Sequence, residues 1–395
     1  MPSPEPALHI ALENARNGAG IAISGARLVA SAALAQREGT HGARRVDLKG
    51  DRLLPGLINA HDHLPLNSLA PLARGRLYRN AREWIADVAE WRRRPALSTG
   101  PRHPRDQRLL AGALKNLLSG VTTVAHHDPL YPELLRPGFP LGLLEHYGWS
   151  HSLHIDGPTA VEAACRETPP ERPWIIHAAE GIDAEAHAEF TALERLGCIT
   201  PTTLLVHGVG LDCAQRTRLL AAGAGLIWCP SSNLRLFGRT AEVAELLSAR
   251  RLGIGSDSRL SGARDLLVEL SVAQACLPSL DEDALIRLAS CDNAALLRLE
   301  DRGALRAGAR ADVLILPRAV PLGSAQRADV RMVMVAGRML YGDRDYAQAI
   351  APEAQWTSIR VDGREKVLDG ALARELRARG VEEPGLLWPS DRMAA

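Results

Sequence analysis

Apolar and polar positions alternate along residues 55 to about 304 in two different periods. Short apolar runs, which predict buried strands, occur at 57–60, 121–125, 141–144, 174–176, 204–206, 226–228 and 252–254. Between them, stretches with a helical repeat of apolar residues predict helices at 81–92, 106–119, 158–167, 183–196, 212–222, 240–250 and 263–275. Such alternation is typical of βα units around a parallel sheet, and seven or eight units in about 250 residues fit a (β/α)₈ barrel. The eighth strand is the weakest prediction, with 150–155 as its candidate or a distorted barrel as the alternative.

The flanking segments carry β-like patterns without helices between them. Strands are predicted at 21–29 and 45–48 before the barrel, and at 312–316, 330–336 and 356–361 after it. A tail helix is predicted at about 364–379. We therefore expect an α/β protein: a distorted (β/α)₈ TIM barrel over 55–304, and a small β-sandwich domain formed by both termini, 1–54 and 305–395.

Polar side chains follow most of the apolar runs. In a parallel barrel, the carboxyl ends of the strands form one mouth, where function collects. His61 and His63 follow the first run and share a face, because residues i and i+2 of an extended segment point the same way. The other polar strand ends are His126 and His127, Glu145, His177 with Glu180, His207, Cys229, and Asp257.

Several imidazoles and a carboxylate at one mouth predict a metal site. His61, His63, His177 and Asp257 would supply the three or four nitrogen and oxygen ligands of a catalytic zinc ion, which leaves a place for water. We expect one divalent ion, with zinc as the default, although iron or manganese accepts the same ligands. Glu180 would then move protons, and His207 would orient the hydroxide or polarise the substrate.

Simpler interpretations of these residues remain open at this stage. Glu180 and Asp257 could each be the N-cap of a following helix. Cys229 precedes a proline and is expected to be a buried small side chain. Of the His126–His127 pair, at most one is expected to face the mouth.

The substrate is expected to lie over the metal, against the 64–91 loop and residues that follow strand ends. The candidate contacts are Trp84, His127, Trp228 and Arg259. Trp84 has an alternative role in packing, on one face of the helix at 81–92.

Composition excludes several classes of protein. The formal net charge is +1, from 47 basic and 46 acidic residues. The net charge therefore gives no electrostatic reason to expect binding to nucleic acid or to an anionic membrane. Six scattered cysteines without a CxxC pair fit a reducing compartment. No signal peptide or membrane-spanning run is visible, so a cytoplasmic location is expected, and a homo-oligomer is left open. Lysine occurs only at positions 49, 115 and 366.

The motifs PGLINAHDHL from Pro55, HAAE from His177, CPSSN from Cys229 and GSDS from Gly255, with the strand-end His207, resemble the amidohydrolase superfamily. The resemblance covers residues 53 to 337. It implies a distorted barrel with a flanking β-sandwich, the four metal ligands named above, Glu180 as proton shuttle, and His207 beside the hydroxide.

Within that superfamily, the spacing of His177 and Glu180 resembles the one-metal group of cytosine and guanine deaminases and triazine hydrolases. Members with two metals often bridge them with a carboxylated lysine at a strand end, and none of the three lysines is predicted there. Glu145 is the candidate if a glutamate replaces that lysine.

The first functional hypothesis is a metal-dependent hydrolytic deaminase of a small nitrogen heterocycle. The alternative is a cyclic amide hydrolase that opens a lactam or imide ring with the same residues. A remote alternative is a non-catalytic scaffold, although no expected ligand is missing.

Overall fold

The computed structural model describes residues 9–16, 20–30, 44–72, 75–93 and 103–389. The first segments form a four-stranded sheet in the order β3-β2-β1-β4, from β1 (His9–Glu13), β2 (Ile21–Ser24), β3 (Arg27–Val29) and β4 (Arg44–Asp47). In β1, buried Ile10 and Leu12 alternate with partly exposed neighbours, as expected of a strand with one face toward a core.

Nine further strands follow before residue 255, eight of them in two parallel sheets. These are β5 (Arg52–Pro55), β6 (Leu57–Asp62), β7 (Val121–His126), β8 (Gly142–Leu143), β9 (Gly148–Ser150), β10 (Trp174–Ala178), β11 (Thr203–His207), β12 (Gly225–Trp228) and β13 (Leu252–Ile254). Strands β6-β7-β8 form one sheet and β13-β12-β11-β10-β9 the other, in sequence order and parallel throughout. All seven predicted barrel strands are present, in a TIM-barrel-like α/β fold.

Helices connect these strands: α1 (Ala81–Arg93), α2 (Arg105–Leu118), α3 (Leu153–Asp156), α4 (Pro158–Glu167), α5 (Ala184–Arg195), α6 (Cys213–Ala221), α7 (Pro230–Phe237), α8 (Ala244–Ser248), α9 (Leu266–Cys276), α10 (Glu282–Arg287) and α11 (Asn293–Leu296). A 3₁₀ helix spans Leu64–Ser68 and a π-helix spans Leu288–Asp292. Four of these helices begin at an aspartate whose carboxylate accepts a backbone N–H of the first turn: Asp183, Asp212, Asp265 and Asp281. Helix α7 was not predicted; it starts with Pro230 at its first turn and stops at Gly238, whose φ of 71° is left-handed.

The eighth parallel strand is β9, which lies mostly before the predicted 150–155. Gly148, Trp149 and Ser150 pair in parallel with Trp174 to Ile176. The prediction was wrong for the later residues, because the Ser152 hydroxyl accepts the N–H of Ile155 and starts helix α3.

The C-terminal residues form a seven-stranded sheet in the order β19-β17-β18-β16-β15-β14-β5, which includes β5 from before the barrel. Its strands are β14 (Val313–Leu316), β15 (Met332–Val335), β16 (Arg338–Gly342), β17 (Trp356–Val361), β18 (Arg364–Asp369) and β19 (Leu386–Leu387), with helices α12 (Arg344–Ile350) and α13 (Gly370–Ala378) and 3₁₀ helices at Leu322–Ser324 and Arg327–Asp329. One buried cluster joins Ile10 and Leu12 of β1 with Val313 and Ile315 of β14.

The predicted tail helix at 364–379 is wrong in its first part. Residues Arg364–Asp369 form β18, which pairs with β17 in a hairpin. The turn consists of Asp362 and Gly363, both with positive φ (46° and 84°), and Asp-Gly is a strong signal for this kind of hairpin turn. Within the described residues, no helix has the length and apolar character that a membrane crossing requires.

Candidate metal centre and active site

Three imidazoles from two strands meet at the carboxyl ends of β6 and β10. The Nε2 atom of His177 lies 3.3 Å from Nε2 of His61 and 3.3 Å from Nε2 of His63. Two nitrogens bound to a tetrahedral zinc ion at ~2.05 Å are about 3.3 Å apart, so this spacing fits a shared metal ion. Asp257 approaches the same point, with Oδ1 3.9 Å from Nε2 of His61.

The outer nitrogens of two of these rings fix the tautomer. His177 Nδ1 donates to the carbonyl oxygen of His151 at 2.7 Å, and His63 Nδ1 donates to Oδ2 of Asp128 at 3.0 Å. A carbonyl and a carboxylate only accept, so each Nδ1 carries the proton. When such a ring is neutral, its Nε2 presents a lone pair, the form that binds a metal.

His127 fixes the tautomer of the third ring. Its Nε2 donates to the carbonyl oxygen of Ser150 at 2.9 Å, so its Nδ1 carries a lone pair. That Nδ1 lies 3.2 Å from Nδ1 of His61 and accepts its proton, which leaves the Nε2 lone pair of His61 free for the metal. His61, His63, His127 and His177 each offer an atom within 4.8 Å of the others. Both nitrogens of His127 are hydrogen-bonded to protein atoms, so neither is left to bind a metal ion. We therefore assign His127 to the support of His61 and not to the metal.

Asp257 is held rigidly for a ligand role. It follows β13 and has a left-handed φ of 50°. Its Oδ2 accepts the hydroxyls of Ser232 and Ser261, each at 2.8 Å, and Oδ1 accepts the N–H of Ser258 at 2.6 Å. Burial alone would raise the pKa of this carboxyl, but nearby imidazoles and the two hydroxyls lower it to about 2, so it is anionic at neutral pH.

Burial determines the charge of most of the imidazoles. It lowers the pKa values of His61, His127 and His177 well below the ordinary value, and the neighbouring rings lower them further. These rings are neutral at pH 7. His63 differs, because Asp128 outweighs burial and raises the pKa of His63 to about 9. A metal ion would have to displace that proton.

Glu180 and His207 face each other beside the imidazoles. Glu180 follows Ala179, whose left-handed φ of 51° turns the chain, and the N–H of Ala179 donates to Oε2 of Glu189 at 2.8 Å. His207 Nδ1 donates to Oδ1 of Asn233 at 2.9 Å, and its Nε2 lies 3.6 Å from Oε1 of Glu180. Burial raises the pKa of the Glu180 carboxyl, which suits a group that must gain and lose a proton.

The helix-cap interpretations of the two carboxylates are wrong. Helix α5 is capped by Asp183, not by Glu180. Helix α9 is capped by Asp265, not by Asp257. Both Glu180 and Asp257 are therefore available for chemistry.

Of the four predicted substrate contacts, His127 alone lies among the imidazoles. Trp84 is 8% exposed and packs edge-on against Tyr78. Trp228 is buried, and its Nε1 donates to the hydroxyl of Thr240 at 2.6 Å. The Arg259 guanidinium is buried against Glu383, with an Nη2–Oε1 distance of 2.8 Å. All three side chains have protein partners, and their contact with substrate stays a prediction.

Other residues at the mouth were missed by the sequence analysis. A cavity of about 20 Å³, room for about one water molecule, is lined by His177 and Glu180 together with residues from three neighbouring segments, including Asn80, Ser152, His154 and Glu189. The ring of His151 lies parallel to that of His177, with centroids 6.5 Å apart. His151 directly follows β9, the strand that the apolar pattern did not reveal, so its place at a strand end was hidden.

The remaining strand-end residues have other surroundings. His126 is buried, and its Nδ1 accepts the N–H of Leu64 at 3.3 Å. Cys229 is buried, as expected. Glu145 is exposed to solvent after β8.

Comparison with known proteins agrees with this architecture. A model described as the amidohydrolase family matches residues 159–340. The 5-methylthioadenosine/S-adenosylhomocysteine deaminase of Nitratidesulfovibrio vulgaris strain DP4 is 24% identical over 386 residues, covering 80% of this chain and 86% of that protein. The chain belongs to the amidohydrolase superfamily.

Solved structures resemble this amidohydrolase in fold. An atrazine chlorohydrolase from Arthrobacter aurescens TC1, solved with zinc, matches with a TM-score of 0.67 and 18% identity, covering 84% of this chain and 95% of that one. An adenosine deaminase from Xanthomonas campestris, with bound zinc, matches with a TM-score of 0.65 and 20% identity, covering 95% and 99%. An 8-oxoguanine deaminase of Pseudomonas aeruginosa is 29% identical over 171 residues, 38% of each chain.

Proposed function

We propose that this amidohydrolase is a metal-dependent hydrolytic deaminase of a small nitrogen heterocycle. One divalent ion, with zinc as the first choice, would be held by His61, His63, His177 and Asp257. The observation that carries the proposal is the convergence of three Nε2 atoms, with that of His177 3.3 Å from each of the other two, beside an anionic carboxylate. Glu180 and His207, 3.6 Å apart, lie at the same mouth.

A bound ion of this type supplies a water molecule whose pKa is lowered toward neutrality. The residues of the chain then move the protons. Glu180 takes one proton from the attacking water and delivers it to the leaving amino nitrogen, and Asp257 passes the second toward the ring nitrogen. The water oxygen forms a bond to the ring carbon that carries the amino group. The bond from that carbon to the amino nitrogen then breaks, and ammonia departs. His207 orients the water through its Nε2 atom, since Asn233 holds its other nitrogen.

The proposal is for one ion rather than two. A lysine bridge needs a free lysine amine, and Lys115, which lies close to Asp257, donates to three protein oxygens instead. Lys366 is bonded to Asp343 in the C-terminal sheet. The exposure of Glu145 argues against its use as a bridge.

The wider proposal concerns organisation and partners. We infer a (β/α)₈ barrel over 55–304 and a β-sandwich formed by 1–54 and 305–395, supported by the sheet that joins β5 to β14. We also infer a cytoplasmic enzyme that acts on a small molecule, not on nucleic acid or at a membrane. The net charge of +1 and six free cysteines support this inference.

A substrate panel tests the reaction. The zinc-loaded protein would be mixed with aminated heterocycles, including the 5-methylthioadenosine, S-adenosylhomocysteine and 8-oxoguanine that the relatives' names suggest, and with cyclic amides. We expect ammonia release together with a change in ring absorbance for at least one aminated ring. Ring opening of a cyclic amide without ammonia would favour the alternative amide hydrolase. Turnover of no panel member by a zinc-loaded protein would contradict the proposal.

A further inference from the structure

Beneath the imidazoles lies a buried ammonium group. Lys115 is on α2, and its side chain has no exposed surface. Its Nζ donates to Oδ2 of Asp62 at 3.1 Å, to Oγ of Ser256 at 3.0 Å, and to the main-chain oxygen of Asp257 at 2.9 Å. An ammonium has three N–H donors, so all of them are used.

The acceptor carboxylate belongs to the strand that carries two of the proposed ligands. Asp62 lies between His61 and His63 and is fully buried. Besides Lys115, its oxygens accept amide N–H groups from Asn59 at 3.2 Å, Asn116 at 2.7 Å and Asn67 at 2.7 Å. Both charges of the ion pair are therefore compensated and fully hydrogen-bonded, as buried charges must be to persist.

The close approach of α2 makes this contact reachable. A Cβ at Gly112 would lie 2.4 Å from the main-chain oxygen of Leu64, so only glycine permits the helix to pack against the segment that follows His63. Lys115 comes three residues later and reaches under the strand end. The helix thus connects to both sides of the site: Asp62 on β6 and Asp257 after β13.

We propose that Lys115 is a positioning residue of the metal centre. Its ammonium ties the main chain of Asp257, held at a left-handed φ of 50°, to the His61–Asp62–His63 strand. The Asp257 carboxylate is thereby fixed against the three Nε2 atoms. This inference rests on the proposed metal centre. It adds a function for a lysine that touches neither the metal position nor the substrate.

The test compares two buried lysines. Lys115→Met removes the ammonium but keeps most of the side-chain length. Lys366→Met is the matched control, because Lys366 is also buried and ion-paired, with Asp343 at 2.6 Å, but in the C-terminal sheet. Zinc affinity would be measured by competition with a chromophoric chelator, the visible absorption of the cobalt-loaded forms would be recorded, and melting temperatures would be measured without metal.

We expect both variants to melt at lower temperature than the wild type. Only Lys115→Met should lose zinc affinity, by roughly 10- to 100-fold, and change the cobalt absorption. A purely structural role would leave the affinity of Lys115→Met within about twofold of the control, which would overturn the inference. A wild-type chain that binds no zinc would instead overturn the metal centre itself.

A second variant covers the case in which Lys115→Met does not fold. Combining it with Asp62→Asn removes both charges and leaves no unpaired carboxylate in the interior. This double variant still lacks the bond to the Asp257 oxygen, so its zinc affinity should also fall roughly 10-fold or more. Wild-type affinity in the folded double variant would refute the positioning role.

Discussion

The role of Glu180 can be isolated by a single change, Glu180→Gln. Glutamine keeps the size of the side chain and its ability to accept hydrogen bonds, but it does not titrate. The side chain is 14% exposed and lies 3.6 Å from Nε2 of His207. Because Asp183 caps α5, the substitution removes no helix cap. The fold and the metal ligands should therefore survive the change.

The expected loss is kinetic. A positioned acid–base group contributes roughly 10² to 10⁴ in rate, which is about 2.7 to 5.4 kcal/mol of barrier. Stability should not fall, because burial raises the pKa of the Glu180 carboxyl and so penalises the charged form in the folded protein. Loss of a helix cap would instead cost about 1 kcal/mol of stability and spare turnover.

Three measurements on one variant decide the matter: turnover on the substrate found in the panel, zinc content and melting temperature. Glu194→Gln is the matched control. Glu194 lies at the far end of α5 and makes a solvent-exposed ion pair with Arg218 of α6. We expect turnover to collapse in Glu180→Gln alone, with zinc content and melting temperature retained. Near-normal turnover would refute the mechanism, and loss of zinc together with activity would make Glu180 a ligand.

Further predictions concern the metal, the ring behind it and a buried carboxyl. The purified protein should hold about one divalent ion per chain by elemental analysis, and the double change of His61 and His63 to alanine should abolish both binding and turnover; two tightly held ions would contradict the one-metal site. His127→Phe should lower zinc affinity by roughly 10- to 100-fold in chelator competition, because His61 loses the acceptor that fixes its tautomer, whereas unchanged affinity would exclude that role. Burial raises the pKa of Glu269 from its ordinary 4.5 to about 7, so its contribution to stability is complete below pH 4.5 and is lost as the pH rises through 7. Glu269→Gln should therefore raise the free energy of unfolding at pH 8 by on the order of 3 kcal/mol more than it does at pH 4.5, as measured by denaturant unfolding. An equal effect of the substitution at both pH values would contradict this.

Seven of the eight parallel strands, and the polar residues at their ends, could be predicted from the chain alone. Strands of this buried sheet are apolar runs, so each run and the polar residue after it can be read directly from the chain, as with His61 and His177. Strand β9 escaped because its three residues, including Gly148 and Trp149, make no apolar run. Because this strand was not predicted, His151, which directly follows it, was not recognised as a strand-end residue.

Which side chains face one another depends on how distant segments of the chain pack. Trp228 ends a strand and Arg259 follows one, as expected of substrate contacts. Their hydrogen-bond and ion-pair partners, Thr240 and Glu383, come from the connection between α7 and α8 and from the C-terminal segment. Likewise, Lys115 looks like an ordinary helix residue in sequence. Its three acceptors are 53, 141 and 142 residues away, so only the packing of α2 beneath β6 brings them together. Local periodicity carries no information about such distant pairs, and the second layer of polar contacts around a metal site consists largely of them.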